Sequence, residues 1–387
     1  MPITPENETP IATPLAELHR TAGANLSVWF GCTLPSNWGD AKEEQRFANQ
    51  SVALIDKNYR AYFTFTGPDR VRYLNAILTN NIKDLREGQG VVSLLLSAQG
   101  RILAEMEIFA SREQLFGVSF QMIRQRLTEV IEKYIIMDDV TLTDDTDKYG
   151  TLGLEGPQAA RVLQELTGFD LAALPELGFA DVHVRVDKPN GETGEPIPCR
   201  VVKRTVANVV SAELLVERKY LEQLWEVVLE AARRNGGGPM GYAALSAQRL
   251  AQGAPWFGYD FGEKQIPHEA ALETSHISYT KGCYTGQEIV ERVRSRGQVN
   301  RRRVLLEFSG DRVPGIDETL TVDGKPVGHI TRAARSWFPP AILGMGFVTK
   351  ENRAIGTNLQ WSGGSGRIVE RVGSTDGNKV NSDSGAV

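Results

Sequence analysis

Residues 281–288, K-G-C-Y-T-G-Q-E, contain the residue types that thiol chemistry requires. Thr285, followed three residues later by Glu288, is a capping-box pattern, which predicts that a helix starts just ahead of an apolar run. Cys283 would then lie within one turn of a helix N-terminus, where partial positive charge favours a thiolate. Lys281 adds a full positive charge nearby. The pattern therefore predicts a reactive thiol at Cys283.

The same stretch also has a purely structural explanation. Gly282 and Gly286 allow the backbone to turn and to approach a ligand closely, because neither residue has a Cβ atom. A Gly-Cys-aromatic turn ahead of a helix is equally compatible with Cys283 as a small buried hydrophobic residue. Local chemistry alone leaves both interpretations open.

The composition of the whole chain restricts the classes of function. Its 387 residues suffice for two or three domains, and the net charge of −5 argues against general nucleic-acid binding. Three cysteines that lie far apart give no disulfide framework, so a reducing, cytoplasmic compartment is expected. The five histidines lack metal-ligand spacing, and no metal site is predicted. No apolar run reaches the length of a membrane span, and the first residues lack a signal-peptide pattern.

Two segments of the chain repeat the order strand, Gly-Pro, helix. Residues 62–68 and 152–157 each place a β-type run before a Gly-Pro break, and an amphipathic helical pattern follows both. This repeat predicts two related α+β domains. After Arg303, short strands separated by Gly and Pro turns predict a small β-barrel, and Asp323-Gly324 is a tight-hairpin signal.

We expect the following domain boundaries. The first α+β domain is expected to be discontinuous and the second to be inserted into it. The predicted segments are a disordered tail (1–14), the first domain (15–52 and 141–245), the second domain (53–140), a segment that carries the 281–288 motif (246–302), the barrel (303–370) and a second disordered tail (371–387).

A cluster of arginines follows the motif. The cluster comprises Arg292, Arg294, Arg296, Arg301, Arg302 and Arg303. A solvated face is one explanation, and Glu288 and Arg292 have the i, i+4 spacing of a helix ion pair. The other explanation is a site for an anionic ligand, a carboxylate chain or a phosphate backbone, to which arginine donates bidentate hydrogen bonds.

The motif carries a family resemblance. K-G-C-Y-T-G-Q-E-I-V-E-R followed by R-G-Q-V-N-R closely resembles the signature of the YgfZ-type folate-binding proteins. These proteins are relatives of the glycine-cleavage T-protein (aminomethyltransferase) and are linked to assembly and repair of iron–sulfur clusters. The likeness extends to R-L-A-Q-G-A-P-W-F-G-Y-D, to I-P-H-E and to L-T-N-N-I. It implies an α+β, T-protein-like three-domain fold, with two related α+β domains and a C-terminal barrel around a channel for tetrahydrofolate.

The resemblance also implies roles for individual residues. Cys283 would face the folate channel with Lys281 beside it, and both are the catalytic candidates. Glu213 resembles the acidic residue that binds the pterin ring, since a carboxylate accepts hydrogen bonds from paired ring N–H groups. The alternative interpretation is that Glu213 is an ordinary strand residue on the protein surface. The remaining candidates are Arg249 and Asp260, which could instead form a structural pair, Tyr284 and Gln287 for the cofactor, and Gly282, Gly286 and Glu288 for the shape of the turn.

One departure from the family pattern concerns the strand G-R-I-L-A-E-M-E-I-F. Transferase members of the wider family carry an acidic pair there, and this chain has Ala104 and Glu105. A methyl group cannot act as an acid or a base. Glu105 takes the acidic position only in a different strand register, because a shift of one residue moves a side chain to the other face.

The favoured hypothesis is a tetrahydrofolate-binding accessory protein for iron–sulfur cluster assembly or repair, with Cys283 as the functional thiol. Its expected partners are folate and iron–sulfur proteins or their assembly factors. One alternative is a tetrahydrofolate-dependent aminomethyl or one-carbon transferase, so whether the protein is an enzyme stays open. The other is a folate-dependent RNA-modification factor, with RNA the less favoured partner. No membrane contact is expected, and the absence of a heptad seam predicts a monomer.

Overall fold

The computed structural model describes residues 9–186, 194–206 and 209–370. The helices are α1 (Ala16–Thr21), α2 (Ala41–Gln50), α3 (Arg70–Ile77), α4 (Arg124–Tyr134), α5 (Ala159–Thr167), α6 (Leu221–Arg234), α7 (Tyr242–Ala251) and α8 (Gln287–Arg296). The first ten strands are β1 (Ile11–Ala12), β2 (Asn25–Trp29), β3 (Cys32–Asn37), β4 (Ala53–Asp56), β5 (Arg60–Thr66), β6 (Gly90–Leu96), β7 (Ile102–Ala110), β8 (Leu115–Phe120), β9 (Thr141–Asp144) and β10 (Tyr149–Glu155). The others are β11 (Phe179–Val184), β12 (Ile197–Val206), β13 (Val209–Glu217), β14 (Gly238–Pro239), β15 (Arg301–Phe308), β16 (Thr319–Val322), β17 (Lys325–Trp337), β18 (Pro340–Thr349), β19 (Asn358–Trp361) and β20 (Gly364–Val369).

Two sheets form the α+β part of the molecule. One has the strand order β11-β12-β13-β10-β4-β14 and packs against α5 and α6, while the other has the order β6-β7-β8-β5-β9. Each sheet contains one of the predicted strand, Gly-Pro, helix units. Gly67 and Gly156 end the strands with φ of 95° and 127°, a conformation that residues with a Cβ atom rarely adopt. The prediction of two such units is confirmed.

The C-terminal strands close into a six-stranded barrel, β15-β18-β17-β16-β19-β20. The hairpin between β16 and β17 turns at Asp323 and Gly324, which both have positive φ as a tight hairpin turn requires. The barrel prediction is confirmed. The sequence patterns missed β19 and β20, which complete the closure.

Two features differ from the predicted segments. Residues 11–14 are not a disordered tail, because Ile11 and Ala12 pair with β3 and Thr13 is buried. The stretch between α1 and α2, where no strand was predicted, contributes β2 and β3 to a small sheet with β1. Residues 1–8 and 371–387 of the predicted tails, and residues 187–193, lie outside the described residues.

Both domain boundaries lie a few residues later in the chain than predicted. Strand β4, predicted for the second domain, pairs with β10 and belongs to the first sheet. Strand β9, predicted for the first domain, pairs with β5 and belongs to the second sheet. The chain therefore crosses between the sheets after Asp56 and after Asp144, so each crossing is a few residues later than predicted.

The two α+β sheets face each other across an aromatic layer. Tyr62, Phe109 and Phe116 from the second sheet pack against Phe179 and Val202 from the first. Within the described ranges, no helix has the length and apolar character needed to cross a lipid bilayer. The polar residues of the candidate site converge at this layer between the sheets.

Candidate functional site

Glu213 lies in a cage of cations between the two sheets. It sits on β13, is almost fully buried, and its Oε1 accepts hydrogen bonds from Lys57 Nζ at 2.9 Å and Arg60 Nη2 at 2.7 Å. Arg204 Nε lies 2.8 Å from Glu213 Oε2 in an ion pair without hydrogen-bond geometry. The alternative of a surface strand residue is therefore wrong. Glu213 is a buried carboxylate at the interface between the domains.

The electrostatics keep this carboxylate ionised. Burial alone would raise the pKa of Glu213, but the positive charges of Arg204, Arg60 and Lys57 outweigh it and lower the pKa well below the usual value. Glu107, on β7 of the facing sheet, accepts from Arg60 at 3.0 Å and from Arg204 at 2.8 Å. The two carboxylates share two guanidinium groups, so this ion-pair network joins the sheets.

Arg249 joins the same network from helix α7. It donates to Glu155, and Lys57 Nζ bonds Glu155 at 3.0 Å as well as Glu213. Burial opposes the ionisation of Glu155, but Arg249 and Lys57 hold its pKa at about 2. The cluster thus has four cations (Lys57, Arg60, Arg204 and Arg249) against three carboxylates (Glu107, Glu155 and Glu213), one positive charge in excess.

A narrow cavity of about 20 Å³, the room of about one water molecule, lies beside Glu213. Its walls are the aromatic layer, with Tyr62, Phe109 and Phe116 among the lining residues, and its polar end carries Arg60 and Glu213. The buried Nε of Arg60 has no hydrogen-bond acceptor among the described residues. Flat aromatic walls ending in a carboxylate and an unsatisfied N–H donor have the chemistry that a planar, nitrogen-rich ring such as a pterin requires, but the cavity must widen to hold such a ring.

Strand β7 presents two carboxylates to the space between the sheets. Side chains alternate along a strand, so Glu105 and Glu107 lie on one face, about 7 Å apart. Ala104 lies on the opposite face, 1% exposed, in the hydrophobic core of the second domain. The residue that faces the site is therefore Glu105, without any shift in register. Ala104 does not remove an acid from this face.

His276 connects Glu105 to the surface. Its Nε2 lies 2.9 Å from Glu105 Oε1, and its Nδ1 lies 2.7 Å from the hydroxyl of the exposed Ser275. Thr79 holds the backbone of this segment by donating to the carbonyl of His276 at 2.7 Å. Sequence reasoning missed His276 because no local pattern relates it to β7. The alternation of Glu105 and Glu107 could have identified the acidic face.

The motif loop differs from its prediction in two respects. Helix α8 begins at Gln287, with Gly286 as its N-cap at φ 81°, and no side chain caps it. The capping box of Thr285 and Glu288 is therefore wrong, because the left-handed turn at Gly286 shifts the helix start. Cys283 lies four residues before the helix and is exposed, so its interpretation as a buried hydrophobic residue is also wrong.

Lys281 contacts backbone carbonyls rather than the thiol. Its ammonium group donates to Asn75 O and Leu78 O at the C-terminal end of α3, where a cation satisfies unpaired carbonyls. Burial lowers the pKa of Lys281 to about 8. Tyr284 packs in the core of the second domain, with the Lys281 ammonium 5.1 Å from its ring centre. Neither residue lines the cavity beside Glu213.

The remaining motif residues shape the turn and its surface. Gln287 Oε1 accepts from the backbone N–H of Tyr284 at 3.3 Å. Glu288 is an exposed partner of Arg292 at 2.6 Å, as the i, i+4 spacing predicts. A Cβ at Gly286 would lie 2.6 Å from the carbonyl oxygen of Ser97, whereas one at Gly282 would meet nothing within 4 Å. The motif therefore docks on the second domain through Gly286.

Asp260 and Arg249 are not paired with each other. Asp260 is fully buried and forms an ion pair with Arg332 of strand β17, with Nη2 and Oδ2 2.6 Å apart. It also accepts from Thr331 Oγ1 at 2.9 Å and from Trp256 N at 2.8 Å. With these partners, Asp260 anchors the barrel to the preceding segment. The structure separates it from the network that contains Arg249.

Most of the arginine cluster is used in ion pairs. Arg292, Arg294, Arg301 and Arg302 pair with Glu288, Glu291, Glu269 and Glu273 respectively. Arg303 is half-buried and donates to Ala270 O at 2.9 Å, and desolvation lowers its pKa to about 10. Among the described side chains of this cluster, no unpaired basic stripe remains for a phosphate backbone, which argues against the RNA alternative.

Comparisons with known proteins agree with this architecture. The GCVT N-terminal domain model matches residues 15–277, and the glycine cleavage T-protein C-terminal barrel domain model matches residues 301–371. The crystal structure of glycine cleavage system aminomethyltransferase T from Bartonella henselae superposes with a TM-score of 0.81 at 20% identity, over 93% of this chain and 97% of that one. The predicted three-domain, T-protein-like fold is confirmed.

Sequence relatives carry a consistent name. An aminomethyltransferase from Streptomyces avermitilis is 26% identical over 358 residues, which cover 91% of this chain and 92% of the relative. Another, from Rubrobacter xylanophilus, is 26% identical over 339 residues, which cover 88% and 87%. The T-protein part of the resemblance is confirmed, while the YgfZ-type assignment and the iron–sulfur role stay predictions.

Proposed function

Since the chain belongs to the glycine-cleavage T-protein family, we propose that it is a tetrahydrofolate-dependent aminomethyl or one-carbon transferase. Aminomethyltransferases of this family use tetrahydrofolate. The observation that carries the proposal is the position of Glu105, which shares a strand face with Glu107 and thereby stands close to the Glu213 cage. Glu105 can therefore serve as the acid or base that Ala104 cannot provide.

The proposed division of roles follows from the contacts. Glu213 and Arg60 would hold the pterin through ring N–H groups and ring acceptors, at the polar end of the cavity. The aromatic walls would exclude water, which strengthens each polar contact inside. Tetrahydrofolate, when bound, supplies the acceptor for the one-carbon unit. Because Glu213 already bonds three cations, binding must exchange part of this network for contacts with the ring.

Glu105 is the proposed general acid or base. Unlike Glu107, which two arginines neutralise, Glu105 has His276 as its charged or polar partner, and its side chain is 21% exposed. A proton on Glu105 Oε1 can pass to His276 Nε2, and one on Nδ1 can pass to the Ser275 hydroxyl, which reaches solvent. This path would reset the protonation of Glu105 after each turnover.

The binding half of the proposal is tested by calorimetric titration with tetrahydrofolate. Glu213→Gln should weaken binding by tenfold or more, since a hydrogen bond to a charged group contributes about 1.5–3 kcal/mol. Glu217→Gln is the matched control, because Glu217 ends the same strand and is half exposed. Equal affinity of wild type and Glu213→Gln, with the fold checked by circular dichroism, would overturn this assignment.

The catalytic half is tested by formation of methylene-tetrahydrofolate from an aminomethylated carrier. Glu105→Gln should bind tetrahydrofolate normally and lose most of the transfer rate. Ala104→Asp, which restores an acid at the family position, should instead destabilise the protein, because the new carboxyl enters an apolar core. A wild-type protein that binds folate but transfers nothing would contradict the transferase proposal.

A second candidate function is the accessory role in iron–sulfur cluster assembly or repair. The observation that favours it is the thiol of Cys283, which is exposed while Cys32 and Cys199 are buried. An exposed thiol on a loop anchored by Lys281 and Gly286 can reach a protein partner. Cys283→Ser should then fail to support iron–sulfur enzymes in cells that lack the native protein. Full support by this variant would remove the role.

A further inference from the structure

A second cavity, lined by basic residues, lies at the C-terminal end of α8. It has a volume of about 310 Å³ and is bounded by the segment after Ile266, by α8 and by the start of the barrel. Its ionisable lining residues are His268, Glu273, Tyr279, Arg294, Arg302 and Arg353. This groove shares no lining residue with the cavity beside Glu213. It is therefore independent of the proposed transferase site.

The charges of the groove are not balanced. Arg302 Nη2 bonds Glu273 Oε1 at 2.6 Å, and the Arg294 guanidinium lies 4.2 Å from the Tyr279 ring centre. Arg353 has no carboxylate partner among the described residues. Arg294 also pairs with Glu291 at 3.4 Å, so the three guanidinium groups of the lining face two carboxylates, which leaves one positive charge in excess. A groove of this kind favours an anionic ligand.

Three buried polar atoms of the lining lack partners within the described ranges. They are Arg353 Nη1, His268 Nδ1 and Glu273 Oε2. His268 is 8% exposed, its Nε2 lies 3.3 Å from the Tyr279 hydroxyl, and burial lowers its pKa, so the ring is neutral at pH 7. With the phenol as donor, Nδ1 carries the ring proton. A buried polar atom without a hydrogen-bond partner costs free energy, so a ligand that bonds these two donors and this one acceptor would be bound favourably.

We propose that this groove binds a small oxyanion, and that a phosphate suits it better than a carboxylate. Both anions accept hydrogen bonds from Arg353 and His268. A singly protonated phosphate also has a P–OH group, which donates to Glu273 Oε2. An ionised carboxylate has no donor and leaves that oxygen unsatisfied. The ligand class is thus a phosphate or phosphate monoester, with the carboxylates as the weaker competitors.

The test is calorimetric titration of the full-length protein at low salt with inorganic phosphate and, separately, with succinate. Wild type should bind phosphate saturably and more tightly than succinate. Arg353→Met should weaken phosphate binding at least tenfold, because it removes a charge-assisted contact. Arg367→Met is the control, since Arg367 is an exposed barrel arginine whose nearest carboxylate, on Glu307, is 3.8 Å away.

A second variant keeps the proposal testable if Arg353→Met does not fold. Glu273→Gln replaces the acceptor and removes a negative charge, so it should bind succinate more tightly and lose the preference for phosphate. Absence of saturable binding of either anion to wild type would overturn the proposal. Equal phosphate affinity of Arg353→Met and wild type, or an equal loss in Arg367→Met, would overturn it as well.

Discussion

Of the glycines in and next to the motif, Gly286 is the one at which an added methyl group should reduce folding stability most. It has φ 81° and caps α8, and a Cβ there would lie 2.6 Å from Ser97 O and 3.1 Å from Leu96 Cβ. Real Cβ atoms do not approach a backbone carbonyl so closely, so the hairpin turn between β6 and β7 must move. Gly286→Ala therefore tests whether the motif docks on the second domain through this contact.

Alanine substitutions at two other glycines separate the terms that contribute to the expected loss of folding stability. Gly297, the C-cap of the same helix, has φ 71° with nothing near its Cβ position, whereas Gly282 has neither a positive φ nor a close neighbour. Left-handed backbone costs a residue with a Cβ about 1–2 kcal/mol. Replacing Gly by Ala recovers about 0.4–1 kcal/mol from the unfolded state, and overpacking costs about 1–3 kcal/mol more.

These terms predict a graded series. Gly282→Ala should leave stability unchanged or raise it by up to about 1 kcal/mol. Gly297→Ala should cost about 1 kcal/mol, and Gly286→Ala about 2–4 kcal/mol once the collision with Ser97 is added. Urea denaturation followed by circular dichroism gives the order, and hydrogen exchange of α8 locates the change. If Gly286→Ala costs no more than Gly297→Ala, the close contact is absent and the reasoning fails.

Two further predictions concern the buried network and the thiols. The pKa of Glu155 is lowered to about 2 in the folded protein. The ionised side chain therefore stabilises the fold fully at pH values above the pKa that Glu155 has in the unfolded chain, and this stabilisation is lost as the pH falls toward 2. Glu155→Gln should therefore cost about 3 kcal/mol of unfolding free energy at pH 6, and the difference from wild type should shrink between pH 4.5 and 2, with Glu217→Gln as the unaffected control. Native protein should react with one equivalent of a chromogenic aromatic disulfide at pH 8, because burial raises the pKa of Cys32 and Cys199 to about 12. Reaction of more than one thiol before unfolding, or of any thiol in Cys283→Ser, would contradict this.

Local patterns predicted most elements of the fold. The Gly-Pro breaks, the alternation of β7 and the Asp323-Gly324 turn each depend on a few neighbouring residues, and the structure contains all three. The errors arose where a distant pairing decided the outcome. Strands β1, β4 and β9 are short, and their sheet membership depends on partners elsewhere in the chain rather than on their own composition.

For the candidate site too, the sequence predicted individual residues but not the long-range contacts between them. Glu213 could be selected by its resemblance to a family position, but the cations around it come from residues as much as 156 positions away in sequence. No periodicity predicts that Lys57 and Arg60 meet this carboxylate, since their meeting depends on how two sheets face each other. The same packing turns Ala104 into the core and Glu105 toward the site.

The sequence by itself determined the two strand, Gly-Pro, helix units, the barrel and the position of the motif, because these depend on local backbone preferences and on side-chain alternation. Only the tertiary structure decided what the motif contacts. It directs Lys281 to the carbonyls at the end of α3 and Tyr284 into the core, while Gly286 starts the helix. Burial and long-range charge pairing, which no short stretch encodes, set those contacts and gathered the Glu213 network.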